Sequence, residues 1–270
     1  MTDQTQPVLF LPHGAPSFAL QPGAAGAAVS SFAGSLRRPR AIVVISAHWC
    51  TDVATVGTAS APDTLHDFHG FARALYAIRY PAHGDRALGE HVAELLRQAG
   101  LDTSIDEQRG LDHGAWIPLR QMFPDADIPV VSLSLQPHRG TEHHLRLGAA
   151  LAALPAQGIL IVGSGNLTHN LNDYRPTSGE VPAPDYIRRF ADWIWMQLQR
   201  GSSAALLRYR SLAPDAVRAH PSEEHLLPLL VALGAAGNDW RVERLYSGIS
   251  DHALAMDSFA FWPRSKGEQA

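Results

Sequence analysis

Cysteine is nearly absent from this 270-residue chain: Cys50 stands alone, so neither an intramolecular disulfide nor a zinc–thiolate site can form. Charge of one sign is lacking too. Twenty-two Lys+Arg against 26 Asp+Glu leave a net charge of −4 with no basic run, which argues against a nucleic-acid or anionic-membrane partner. No apolar run approaches the ~18 residues of a membrane span. The N-terminus MTDQTQPVLFLPHG has no positive segment before an apolar one, so a cytoplasmic protein is expected. Internal repeats, interdomain linkers and low-complexity tracts are missing, so one domain over residues 1–270 is expected. Several catalytic signatures are absent as well. Gly163-Ser164-Gly165 is not a Gly-x-Ser-x-Gly nucleophile elbow, and neither a phosphate-binding glycine loop nor an HExxH helix occurs. What the chain has in quantity is histidine, fourteen in all.

Short apolar runs bounded by Gly, Pro or Asn predict buried strands at Pro7–Leu11, Ala41–Ala47, Val53–Gly57, Pro129–Leu135, Ile159–Gly163 and Arg241–Tyr246. Between them, helical periodicity predicts helices over Arg86–Ala99, His143–Leu154, Tyr186–Leu198 and Glu223–Ala235, and Gly23–Gly34 fits a small-residue helix. The Pro-rich stretch Arg175–Asp185 reads as a loop, and Arg264–Ala270 as a frayed tail. The alternation predicts an α/β fold, a central, largely parallel sheet flanked by helices.

The histidines are placed unevenly on this frame. His13 follows the first strand, His48 the second, and His169 lies in the turn beyond Ile159–Gly163. Ligands of open α/β sheets bind at the carboxyl ends of strands. Three imidazoles converging there suit Fe(II), Zn(II) or a related ion. Gly14, Gly163 and Gly165 are expected where the backbone must turn sharply among crowded side chains. His225 sits in a predicted first helical turn capped by Ser222, either as a further ligand or as a surface histidine, with Pro228 expected to distort the helix. His113 lies in a turn before Ala115–Phe123; Asp112 beside it could orient it, although adjacent residues seldom face each other. His66 and His69 belong to a polar-aromatic cluster suited to a pocket wall, which Trp49, Phe68, Tyr76 or Trp116 could extend. His83, His91, His138, His143, His144, His220 and His252 read as surface or structural residues.

The segments LFLPHGAPSFAL, AIVVISAHW, LHDFHGFARALYAIRYPAHG, LDHGAW, FPDADIPVVSLSL, GSGNLTHNL and EEHLLPLL run in order along nearly the whole chain. In them the sequence resembles the class III extradiol ring-cleaving dioxygenases of the DODA type. The resemblance implies a metal site of His13, His48 and His225, carrying Fe(II) for activity, with Zn(II) an alternative at the same residues. It implies His169 as the acid/base beside the metal and a potential fourth ligand, and His113 as a residue facing substrate and dioxygen. The implied partners are a small catechol-type aromatic and O2; substrate and oligomeric state are not specified by it. Pro12, Ala15 and His69 depart from residues common in the family, which bears on substrate identity. Two other readings stand beside this one: a zinc-dependent hydrolase using the same ligands, and a non-catalytic metal-binding protein of the same fold.

Overall fold

A computed structural model describes residues 5–176, 183–201 and 203–263. The frayed tail expected at Arg264–Ala270 and most of the expected loop Arg175–Asp185 lie outside these residues. The described residues form ten strands: β1 (Val8–Pro12), β2 (Ala41–Cys50), β3 (Ala54–Gly57), β4 (Thr103–Asp106), β5 (Val130–Leu135), β6 (Ile159–Gly165), β7 (Trp240–Tyr246), β8 (Ile249–Ser250), β9 (Leu254–Ala255) and β10 (Ser258–Pro263). Eight form one sheet in the order β4-β3-β5-β2-β6-β1-β10-β7, and β8 with β9 forms a separate small ribbon. The centre, β5-β2-β6-β1, is parallel, whereas β3, β10 and β7 make the antiparallel contacts. The sheet is therefore parallel where the site lies and mixed toward its edges.

Strand alternation explains why the central runs are apolar throughout. Successive side chains point to opposite faces, and both faces are covered by helices. Val8, Phe10, Val43 and Ile45 join one apolar core, with Leu88, Val92 and Leu96 of the helix Arg86–Gln98. Leu9, Leu11, Ile42 and Val44 join the other, with Val29 of the helix Gly23–Ser35 and Trp116 of the helix His113–Met122. Asp85 caps the helix Arg86–Gln98 by accepting the Leu88 N–H at 2.9 Å.

Two boundaries differ from expectation in ways that matter for the site. β2 continues past Ala47 to Cys50, and its pairing with β5 is irregular between Ile45 and Cys50. Such a bulge re-aims side chains, and His48 is one of those it carries. The helix expected from Glu223 starts only at Leu227, because Pro228 occupies its first turn, where a missing N–H costs nothing. Ser222 is consequently no cap, and His225 stands in the turn that leads into the helix. Among the described residues, no helix is long and apolar enough to cross a membrane.

Candidate metal centre and active site

β6 lies between β1 and β2, and the register sets Pro12 opposite Gly165 and Ser46 opposite Ser164. His13, just past β1, and His48, near the end of β2, therefore flank the end of β6 at nearly the same height. Gly14 has φ +63°, the left-handed conformation that releases the chain just after His13. At Gly165 the need for glycine is spatial rather than conformational. A Cβ there would lie 2.1 Å from the His225 carbonyl oxygen, and that oxygen accepts the Asn166 N–H at 3.0 Å. The close approach pins the His225 turn onto the end of β6. Gly163 is likewise shaped by close approach, to the carbonyl of Pro228, and not by a sharp turn.

The Nε2 atoms of His13 and His48 are 3.1 Å apart, and those of His48 and His225 3.3 Å apart. For His13 and His225 the partner on the other ring nitrogen fixes the proton. Ser164 Oγ donates to the Gly114 carbonyl, so toward His13 Nδ1, 3.2 Å away, it can only accept. His225 Nδ1 donates to Glu224 Oε1 at 3.0 Å, and His48 Nδ1 lies 3.7 Å from Asp67 Oδ2. His13 and His225 thus carry their protons on Nδ1 and turn Nε2 lone pairs toward the Nε2 of His48. Burial, followed by the neighbouring imidazoles, holds His13 and His225 well below the ordinary histidine range. Burial, then His113, lowers His48 to about 3. Three neutral imidazoles whose Nε2 atoms converge in this way offer three nitrogen donors to a single cation. Neighbouring nitrogens around one ion sit about 3.0–3.4 Å apart at metal–nitrogen distances of about 2.1 Å, so the donor set fits a divalent transition metal.

His169 and His113 flank this group. The His169 ring stacks on His225, centroids 3.4 Å apart and planes 6° apart, and burial lowers it to about 4. His113 Nδ1 is 3.0 Å from Asp67 Oδ1, and the His113 backbone N–H donates to the same oxygen at 2.9 Å. Burial opposes ionisation of Asp67, but the hydrogen bond and charge of His113 outweigh it and hold the carboxyl at about 2. Asp112 does not orient His113. It caps the helix His113–Met122 through Ala115, accepts from Ser46 Oγ at 2.5 Å and binds Arg109 at 2.8 Å. Other ligand combinations are geometrically open, since His113 lies with His13 and His48, and His169 with Glu224 and His225, within ligand reach.

All five candidate histidines therefore meet in one place, and four of them (His13, His48, His113 and His169) line a cavity of about 250 Å³. The expected aromatic wall is partly corrected. Phe68 and His69 line the cavity, whereas Tyr76 packs behind Phe68 with ring centroids 5.2 Å apart. Trp116 is fully buried in the core, its Nε1–H donating to the Leu65 carbonyl, and Trp49 lies under Arg109. His66 is turned to the Ile78 carbonyl at 3.1 Å. Sequence reasoning missed Asp67, although its place between two histidines in His66-Asp67-Phe68-His69 was a signal.

Comparison with known proteins agrees with this geometry. Residues 26–255 match the family model described as the catalytic LigB subunit of aromatic ring-opening dioxygenase. A 4,5-DOPA dioxygenase extradiol of Beta vulgaris is 39% identical over 96% of this chain and 97% of its own length. An Escherichia coli K12 protein of the same name is 36% identical over 95% and 94%. The crystal structure of an uncharacterized protein from Escherichia coli K12 superposes with a TM-score of 0.79 at 33% identity, covering 94% of this chain and 98% of that one. Fold, histidine cluster and full-length similarity agree: the chain belongs to the LigB family of aromatic ring-opening dioxygenases, as an extradiol-type member.

Proposed function

We propose that the whole chain, 1–270, is one dioxygenase domain that holds Fe(II) on His13, His48 and His225 and cleaves a catechol-type ring with O2. The observation that carries this reading is the convergence of their Nε2 atoms, 3.1 and 3.3 Å apart, beside a cavity large enough for an aromatic ring. Ferrous iron in this position supplies a charge that favours catechol ionisation, and an electron relay that circumvents the spin barrier between a catecholate and dioxygen.

The chain's own residues supply the rest. His169, held flat against His225, accepts a proton from a substrate hydroxyl and returns it as the ring opens. His113, with Nδ1–H fixed on Asp67, presents its other nitrogen to the same space and hydrogen-bonds the oxygen being reduced. Phe68, Phe71 and Leu254 form an apolar wall that keeps water from the reacting atoms. Holding ring and dioxygen side by side removes the cost of a bimolecular encounter.

Zn(II) suits the same imidazoles, so the experiment compares both metals. Protein loaded anaerobically with Fe(II) is given a panel of catechols and air, while oxygen uptake and yellow semialdehyde product are followed. The expected result is product with stoichiometric oxygen consumption for the iron form alone. No oxygen uptake across the panel overturns the proposal, and ester hydrolysis by the zinc form would replace it with the hydrolase reading.

A further inference from the structure

Asn166 stands where two histidine-bearing turns meet, just beyond the end of β6, and it is fully buried. Its backbone N–H donates to the His225 carbonyl at 3.0 Å. Its side-chain Oδ1 accepts the N–H of Gly14, the residue after His13, at 3.3 Å. Only an oxygen can accept that N–H, so the orientation of the amide is fixed. Its other end, Nδ2, is a donor and lies 3.4 Å from His13 Nε2. Among five site histidines and the carboxylates of Asp67 and Glu224, this amide brings a group that donates without titrating.

His13 Nε2 offers one lone pair. A metal held by His13, His48 and His225 takes that lone pair, and the amide hydrogen of Asn166 then needs another acceptor. Water does not reach a side chain this buried, and a buried donor left without a partner is costly. His13 and Gly14 line the cavity, so the acceptor at hand is a substrate oxygen lodged beside His13. An oxygen that has lost its proton is the better one, since hydrogen bonds to ionised acceptors are roughly twice as strong.

Resting on the dioxygenase reading above, we propose that Asn166 is a further catalytic residue, whose Nδ2–H donates to the ionised oxygen of a catechol bound beside His13. Its Oδ1 and backbone N–H, tied to Gly14 and His225, hold that donor in place. The amide acts as a fixed dipole aimed at negative charge, and the proton itself goes to His169. The test uses the Zn(II)-loaded protein, which can bind a catechol without consuming oxygen, and 4-nitrocatechol, whose visible absorption moves as it ionises. Asn166→Asp keeps an oxygen for Gly14 but replaces the donor. Asn166→Ala removes the donor without adding charge. Elemental analysis reads the metal, and absorption titration reads both the affinity and the ionisation of the bound probe.

The expected result is that both variants keep the metal and bind 4-nitrocatechol about 10- to 100-fold more weakly than the parent, with the bound probe less ionised. Unchanged affinity and absorption in Asn166→Ala overturn the proposal, because weakening by Asn166→Asp alone is explained by its added charge. Loss of metal from Asn166→Ala overturns it too, since Asn166 would then act through the ligands. The two readings fail separately. Weakened probe binding in both variants, with no oxygen uptake by the Fe(II) form of the parent, removes the dioxygenase assignment and leaves the donor intact. Ring cleavage by Fe(II)-loaded Asn166→Ala at the parent's kcat/KM does the reverse.

Discussion

The protein buries histidines in two contrasting ways. His144 is spent on the backbone: its Nδ1 donates to the Gly140 carbonyl at 2.6 Å, and its Nε2 accepts the Gln136 N–H at 3.1 Å. His13 and His225 satisfy Nδ1 from outside and, with His48, direct Nε2 at one another, with Asn166 Nδ2 3.4 Å from that of His13. Burial depresses the basicity of both kinds, so burial and proton affinity alone do not distinguish scaffold from site. The direction of the second nitrogen does. The Nε2 of His144 ends on one backbone N–H, whereas three Nε2 atoms gathered at one point are placed to hold an ion.

The largest break in this contrast comes from alanine at His13, His48 or His225. Metal content measured by elemental analysis should collapse, and turnover should fall by about three orders of magnitude or more. His169→Ala should lower kcat by about 10²–10⁴ while elemental analysis still finds the metal bound. Loss of metal from that variant would make His169 a ligand.

Asp67→Ala frees His113 and removes a neighbour of His48. Steady-state kinetics should show activity reduced by about 10- to 100-fold, the usual cost of losing a group that orients a site residue. The smallest effect concerns stability. Burial lowers His144 to about 4 in the folded state, against 6.5 when unfolded. The unfolded chain therefore binds the extra proton first as pH falls. The contribution is complete above pH 6.5, and about 3 kcal/mol is lost between there and pH 4. Denaturant midpoints at pH 7 and 4.5 should differ less for His144→Gln than for the parent, because glutamine does not titrate.

Much of this was legible in the residues. The central strands announce themselves because they are buried on both faces, so every position is apolar and the following histidine marks the strand end. β4 gave no such signal: it is an edge strand, and the middle of Thr103–Asp106 faces solvent. β10 was missed although it pairs with β1, one place in from the sheet edge, because its partner choice is a long-range matter that local pattern does not encode. At the site, identities were readable and orientations were not. Neither the carboxylate that serves His113 nor the serine that fixes the His13 proton is a sequence neighbour of its partner; Asp67 lies 46 positions from His113 and Ser164 lies 151 from His13.

That last separation has a consequence for how the protein is made. β1 comes first in the chain, yet its two partners are β6 (Ile159–Gly165) and β10 (Ser258–Pro263), so the strand that delivers His13 is not flanked on both sides until nearly the entire polypeptide has left the ribosome. Contacts this distant in sequence slow folding, since loops must close before pairing repays the entropy. Partly folded chains would therefore carry scattered single histidines with little hold on a metal, and metal uptake becomes a late event of maturation. Metal retention would accordingly report that both ends of the chain have reached their places.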